Sequence, residues 1–142
     1  MIRKEIENII IKNVPEPYRK DREAVIEALK QINISFDTLI AELYLKYQGP
    51  IEENENEPEI LEITEMIRPN IINMTAYFRE HYNIPEYFVA LTDDYLGKVW
   101  FYNSKNERVY EILTENLDNI VEEDLHQWKD FNSFLEWYFE LE

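Results

Sequence analysis

The clearest fold signal lies in residues 87–112, YFVALTDDYLGKVWFYNSKNERVYEI. Apolar, β-branched and aromatic runs alternate in it with short polar segments, which predicts strands joined by tight turns. The predicted strands are 87–92, 99–102 and 108–112, and the predicted turns are 93–97 and 104–107. Such a succession forms an antiparallel meander. The continuous apolar run at 87–92 predicts that the first strand is buried at the centre of the sheet.

Helical periodicity flanks the meander on both sides. Apolar residues recur at spacings of three and four in four segments, which is the pattern of helices that bury one face. These stripes are Ile2, Ile6, Ile9 and Ile10; Val25, Ala28, Leu29 and Ile32; Phe36, Leu39, Ile40, Leu43, Tyr44 and Tyr47; and Phe131, Phe134, Leu135, Tyr138 and Phe139.

Polar residues at the segment boundaries predict where three of these helices begin or end. Asp21 and Ser35 are the predicted N-caps of the second and third helices, and Asp130 or Asn132 that of the last. Gly49 stands where a left-handed residue would end the third helix, directly before a proline.

Together these elements predict a single α+β domain over residues 1–142, an antiparallel meander with N- and C-terminal helices packed on one face. A further helix is predicted at 71–82 and a short strand at 59–63. The predicted parts are N-terminal helices at about 1–48, an acidic loop at about 50–59, the sheet at about 59–112 and a C-terminal helical part at about 118–142.

The charge is strongly negative and unevenly placed. The net charge is −16, with 45% hydrophobic residues and no cysteine. Residues 1–30 are nearly neutral, so residues 31–142 carry almost all of the negative charge. This negatively charged region repels phosphates and anionic lipid, which predicts no direct binding to nucleic acid or membranes. It attracts a basic protein surface. The alternative is that the acidity serves solubility alone. The absence of cysteine and of an apolar leader predicts a cytoplasmic protein.

Catalytic and cofactor motifs are sparse. Gly49 and Gly97 are the only glycines, so a glycine-rich phosphate loop is excluded. His81 and His126 lie far apart in sequence, without a second ligand in helical register. The sequence therefore predicts no enzyme, no catalytic residue, no metal and no cofactor.

Two acidic segments are candidate partner-binding sites. Glu52, Glu53, Glu55 and Glu57 belong to a run of glutamates from 52 to 65 that no basic residue interrupts. This run is either a docking surface for Lys and Arg or a solvated loop; a calcium loop is disfavoured because the run lacks alternating Asp or Asn and a central Gly.

The second candidate is the turn with Asp93, Asp94 and Tyr95. Turns favour Asp because its carboxylate bonds local amides, which is the alternative explanation of these residues. As a contact patch, the two charges would steer a partner and the tyrosine would bury area.

The order of parts resembles the SUKH superfamily of fungal cell-wall-synthesis regulators (the SMI/KNR type) and bacterial immunity proteins. The resemblance covers about 34–138. It is carried by Gln48-Gly49-Pro50 after the third helix, by Asp93, Gly97 and Trp100-Phe101-Tyr102 in the hairpin, by Val109-Tyr110, and by Trp128 with Phe131-Asn132-Ser133-Phe134-Leu135. It implies an α+β fold and, for bacterial members, neutralisation of a polymorphic toxin by direct binding.

The leading functional hypothesis is therefore that the protein is an immunity protein that binds a basic toxin domain. A nuclease is the favoured class of toxin. The immunity protein itself is predicted to be a monomer or a weak homodimer. A regulatory adaptor for endogenous proteins is the alternative. An acidic mimic of nucleic acid is the third hypothesis.

Overall fold

The computed structural model describes residues 1–52, 56–64 and 69–141. Over these residues the chain forms five α-helices and one four-stranded sheet, so the predicted α+β class is confirmed. The helices are α1 (Lys4–Asn13), α2 (Arg22–Gln31), α3 (Leu39–Lys46), α4 (Ile71–His81) and α5 (Phe131–Tyr138). The strands are β1 (Phe88–Ala90), β2 (Lys98–Asn103), β3 (Val109–Leu113) and β4 (His126–Trp128).

The sheet is an antiparallel meander in the order β1-β2-β3-β4. The predicted meander is confirmed, and the sheet extends beyond it, because His126–Trp128 adds an edge strand within the part predicted to be helical. The predicted strand at 59–63 is wrong. Ile60 makes only an isolated bridge to Ile51, and the Leu61 amide donates to the Leu91 carbonyl at 2.9 Å.

Strand β1 is buried, but it lies at an edge and not at the predicted centre. Its outer side is covered by α4, where the Thr75 hydroxyl accepts a hydrogen bond from the Ala90 amide at 2.9 Å. A strand that is buried on both faces has the same apolar sequence pattern whether another strand or a helix covers its edge. The pattern therefore could not distinguish an edge position from the predicted central one.

Alternating side chains of the sheet build two cores. On one face, Val89, Trp100, Tyr102 and Val109 pack with the residues of α1, α2, α3 and α5, as predicted for the N- and C-terminal helices. The other face is also covered. The residues buried there include Phe78 of α4 and Leu117, which pack with Phe88, Ala90, Val99, Phe101, Tyr110 and Ile112.

The predicted N-cap is confirmed for α5, confirmed in position for α2 and wrong for α3. The Asp130 carboxylate caps α5 by accepting from the Ser133 amide at 2.7 Å. Helix α3 begins at Leu39, where Thr38 is the cap in place of Ser35, and Phe36 is 49% exposed. Asp21 occupies the predicted N-cap position of α2, but its side chain makes no capping hydrogen bond.

Gly49 does not end α3 in a left-handed conformation. The helix ends at Lys46, and Tyr47 is already extended, with φ −123° and ψ 150°. The Gln48 amide donates to the Pro17 carbonyl at 2.8 Å, so pairing with the segment before α2 draws the chain out of the helix. The Gly49–Pro50 peptide is cis.

Candidate protein-binding surface

The turn between β1 and β2 is held by its own backbone and by Asp93. The Asp93 carboxylate accepts a hydrogen bond from the Tyr95 amide at 3.1 Å, so it stabilises the turn as the alternative explanation expected. Gly97 has φ +79°, a conformation that favours glycine, and its amide donates to the Asp94 carbonyl at 3.0 Å. Tyr95 projects from this fixed turn and is 87% exposed. Because the backbone of the turn is already ordered, a partner that contacts Tyr95 does not have to order this segment when it binds.

Part of the predicted glutamate run lies directly beside the turn. The two segments enclose a cleft of about 240 Å³ that we call the acidic cleft. It is lined by Glu52, Glu57, Pro58, Glu59, Asp93, Tyr95 and Leu96. The two candidate sites, which the sequence presents 40 residues apart, therefore share one surface. Glu53 and Glu55 lie outside the described residues, and Asp94 lies in the turn without lining the cleft.

Lys98 pairs with Glu57, which lines this cleft. Its ammonium lies 2.6 Å from Glu57 and 3.4 Å from Glu111. Burial alone would lower the pKa of Lys98, but the Glu57 hydrogen bond and the charge of Glu111 outweigh it and raise the pKa. One ammonium is thus shared between two carboxylates, which leaves the local charge negative.

A cluster of three tryptophans adjoins the Lys98 pairs. The Trp100 indole N–H donates to Glu111 at 3.1 Å, and Trp100 is fully buried. Trp137 is 39% exposed, and its ring centroid lies 4.9 Å from that of Trp128 and 5.7 Å from that of Trp100. Trp137 is not among the site residues predicted from the sequence. Its position outside the apolar stripe of α5 was the available signal.

Glu62, in the same glutamate run, has a different role. Arg19 donates to both of its carboxylate oxygens at 2.7 Å, and the Gly49 and Ile63 amides donate to it as well. Both side chains are buried, at 2% exposure for Arg19 and 8% for Glu62. Arg19 also donates to the Tyr44 and Tyr47 carbonyls at the end of α3. Glu62 therefore has a structural role, and neither interpretation of the run, as a docking surface or as a solvated loop, applies to it.

The two histidines have separate surroundings. His81 lies against Tyr77, with 4.5 Å between ring centroids. His126 stacks on Trp128 at 4.6 Å and lies 3.7 Å from Glu111. Within the described ranges, no group of three or more His, Asp or Glu residues is arranged to hold a metal ion. In the same ranges, no helix has the length and apolarity that a membrane span requires.

Another groove lies at the opposite end of the strands. It measures about 740 Å³, and its lining includes Phe36, Thr38, Lys46 and Glu107. Glu107 belongs to the turn between β2 and β3, whereas Tyr95 belongs to the turn at the other end of β2. This Phe36 groove has both basic and acidic walls. It therefore lacks the uniform charge of the acidic cleft.

Comparison with known proteins gives no assignment. No family model matches the sequence, and no curated protein matches it significantly. The resemblance to the SUKH superfamily accordingly stays a prediction from the quoted motifs and the order of the elements.

Proposed function

We propose that this protein is a non-enzymatic protein-binding module, an immunity protein that neutralises a cognate toxin by binding it through the acidic cleft. The observation that carries this proposal is the meeting of two acidic segments around Tyr95, an exposed aromatic residue on a rigid turn. Charged and aromatic groups in one place are typical of surfaces that both steer and anchor a protein partner.

The charge of the cleft favours a basic partner. Among the described residues, Glu52, Asp93 and Asp94 have no basic partner within ion-pair distance, and Lys98 is already shared by Glu57 and Glu111. A nuclease has a basic substrate-binding face, because it must hold phosphates. A toxin of this class is therefore the partner we propose, and the SUKH resemblance supports the same choice.

The direct test uses a toxin encoded next to the gene of this protein. The two proteins are co-expressed, growth is scored, and the complex is isolated and its affinity measured. We call Glu52→Lys with Asp94→Lys the cleft variant, because Glu52 lines the cleft and Asp94 lies in the turn that forms its other wall. It should abolish protection, since it reverses two charges of this surface. The matched control is Glu23→Lys with Glu27→Lys, two exposed positions on α2 with the same change in net charge.

Protection by the control and not by the cleft variant would support the proposal. Equal loss with both variants would show that total charge matters and the cleft does not. A cleft variant that still binds with full affinity would contradict the proposed interface.

The non-enzymatic part of the proposal has its own test. The purified protein should show no hydrolase or transferase activity, and His81→Gln with His126→Gln should retain protection. His126 stacks on Trp128, so a thermal melt must accompany the assay. Loss of protection at an unchanged melting temperature would contradict the proposal that the protein acts without catalysis.

A further inference from the structure

A second cleft shares one wall with the acidic cleft. It has a volume of about 380 Å³ and is lined by Glu57, Trp137, Tyr138, Glu140 and Leu141, and we call it the Trp137 cleft. Glu57 lines both clefts. A partner bound over the acidic cleft would therefore reach the Trp137 cleft without a break in the surface.

The indole of Trp137 is fixed before any partner arrives. It packs against Trp128, Trp100 and Phe134, with ring centroids 4.9, 5.7 and 6.2 Å away. These contacts leave 39% of the residue exposed. A large aromatic surface held in one orientation loses little conformational freedom when a ligand stacks on it.

Two glutamates line the same cleft as this ring. The Glu57 side chain is 20% exposed and is oriented by its bond to Lys98. Glu140 is exposed and follows α5 in a left-handed conformation, with φ +58° and its amide donating to the Trp137 carbonyl at 3.0 Å. Lys98 lies over the ring of Trp100 at 5.7 Å, and no described cation is recorded over the ring of Trp137.

We propose that the Trp137 cleft binds an arginine side chain of the basic partner, and this inference rests on the proposed function. The guanidinium would stack on the exposed indole and donate hydrogen bonds to Glu57 and Glu140. Arginine suits the cleft better than lysine because a planar guanidinium can stack and bond two carboxylates at once, whereas an ammonium is a compact, strongly hydrated charge.

The test needs no knowledge of the partner. N-acetyl-L-arginine amide is titrated into the isotope-labelled protein, and the three indole N–H signals are followed by NMR, with the Trp137 signal assigned from Trp137→Phe. The controls are the uncharged citrulline analogue and the lysine analogue. We expect a saturable shift confined to the Trp137 region, with arginine binding roughly threefold to tenfold more tightly than either control.

Glu140→Gln sharpens the test, because this exposed residue can lose its charge while the aromatic packing stays intact. It should weaken arginine binding roughly threefold, whereas Glu23→Gln on α2, with the same charge change, should not. Equal shifts with arginine and citrulline, or shifts spread over the whole acidic surface, would overturn the inference.

The outcomes separate the two proposals. If arginine fails to bind at Trp137 while the toxin complex forms through the acidic cleft, only the arginine site is wrong. If arginine binds at Trp137 while Glu52→Lys with Asp94→Lys leaves the toxin complex intact, the proposed interface is wrong and the arginine site stands.

Discussion

The Arg19–Glu62 pair and the acidic cleft use glutamates of one sequence run in opposite ways. Glu62 is buried and accepts hydrogen bonds from Arg19 and two backbone amides, which join the segment before α2 to the end of α3. Glu52, ten residues earlier, is exposed at the rim of a cleft. The same residue type is thus needed for the fold in one region and is available to a partner in the other.

The strongest way to break this comparison is to remove Glu62. Glu62→Ala would remove the buried carboxylate from the Arg19 guanidinium and leave the half-exposed Asp21, at 3.2 Å, as its remaining carboxylate partner among the described residues. We expect a loss of about 3 kcal/mol in the free energy of unfolding. Urea denaturation measures it. The matched control is Lys20→Ala, which breaks the exposed pair with Glu16 and should change stability little. A Glu62→Ala protein as stable as wild type would contradict the structural role.

Tyr95 provides the converse test in the cleft. Tyr95→Ala should leave the melting temperature unchanged, because the side chain is 87% exposed, yet raise the dissociation constant for the partner roughly thirtyfold, as expected for an interface hot spot. Phe36→Ala is the control, since Phe36 is an exposed aromatic residue at the opposite end of the strands. Equal effects of the two substitutions on affinity would place the interface elsewhere.

These two regions show how much the sequence could predict. The meander, the helices and the Asp130 cap follow from local periodicity and turn chemistry, and the structure has them. The role of Glu62 could not be predicted, because its partner Arg19 lies 43 residues away. For the same reason the sequence presents the 93–95 turn and the glutamate run as separate candidates. Strand β4 was missed because His-Gln-Trp is short and mostly polar, and its pairing with β3 depends on tertiary context.

Salt should affect the cleft charges and the turn differently. The association rate with a basic partner should fall steeply between about 0.01 and 0.15 M salt, since the screening length contracts from about 30 to 8 Å. Glu52→Gln should lower this rate and its salt dependence by a modest factor, roughly twofold, whereas Tyr95→Ala should act on the dissociation rate. Stopped-flow kinetics separates the two rates. A salt-independent association rate would contradict electrostatic steering.

The smallest expected effect concerns Asp21, which adjoins the Arg19–Glu62 pair. Burial alone would raise the pKa of Asp21, but hydrogen bonds from Thr64 and Arg19 outweigh it and hold the pKa below the ordinary value of 3.8. A lowered pKa stabilises the folded protein at pH values above the ordinary one, and this stabilisation is lost as pH falls through the folded value.

The stability advantage of wild type over Asp21→Asn should therefore be full at pH 6 and shrink below about pH 4. Urea denaturation at a series of pH values measures it. In a Thr64→Val background the advantage should be smaller at pH 6, because one donor to the carboxylate is gone. An advantage that grows on acidification would contradict the assignment.

The hairpin turn has a consequence for how recognition could diversify. Its geometry depends on the Asp93 carboxylate, the left-handed Gly97 and backbone bonds, including that from the Thr114 amide to the Gly97 carbonyl at 2.9 Å. The side chains of Asp94, Tyr95 and Leu96 make no such bonds among the described residues. Selection could therefore exchange these three residues to follow a changing partner while the bonds that hold the turn stay in place. The same three positions are the natural place to randomise in a library that seeks new binding specificities.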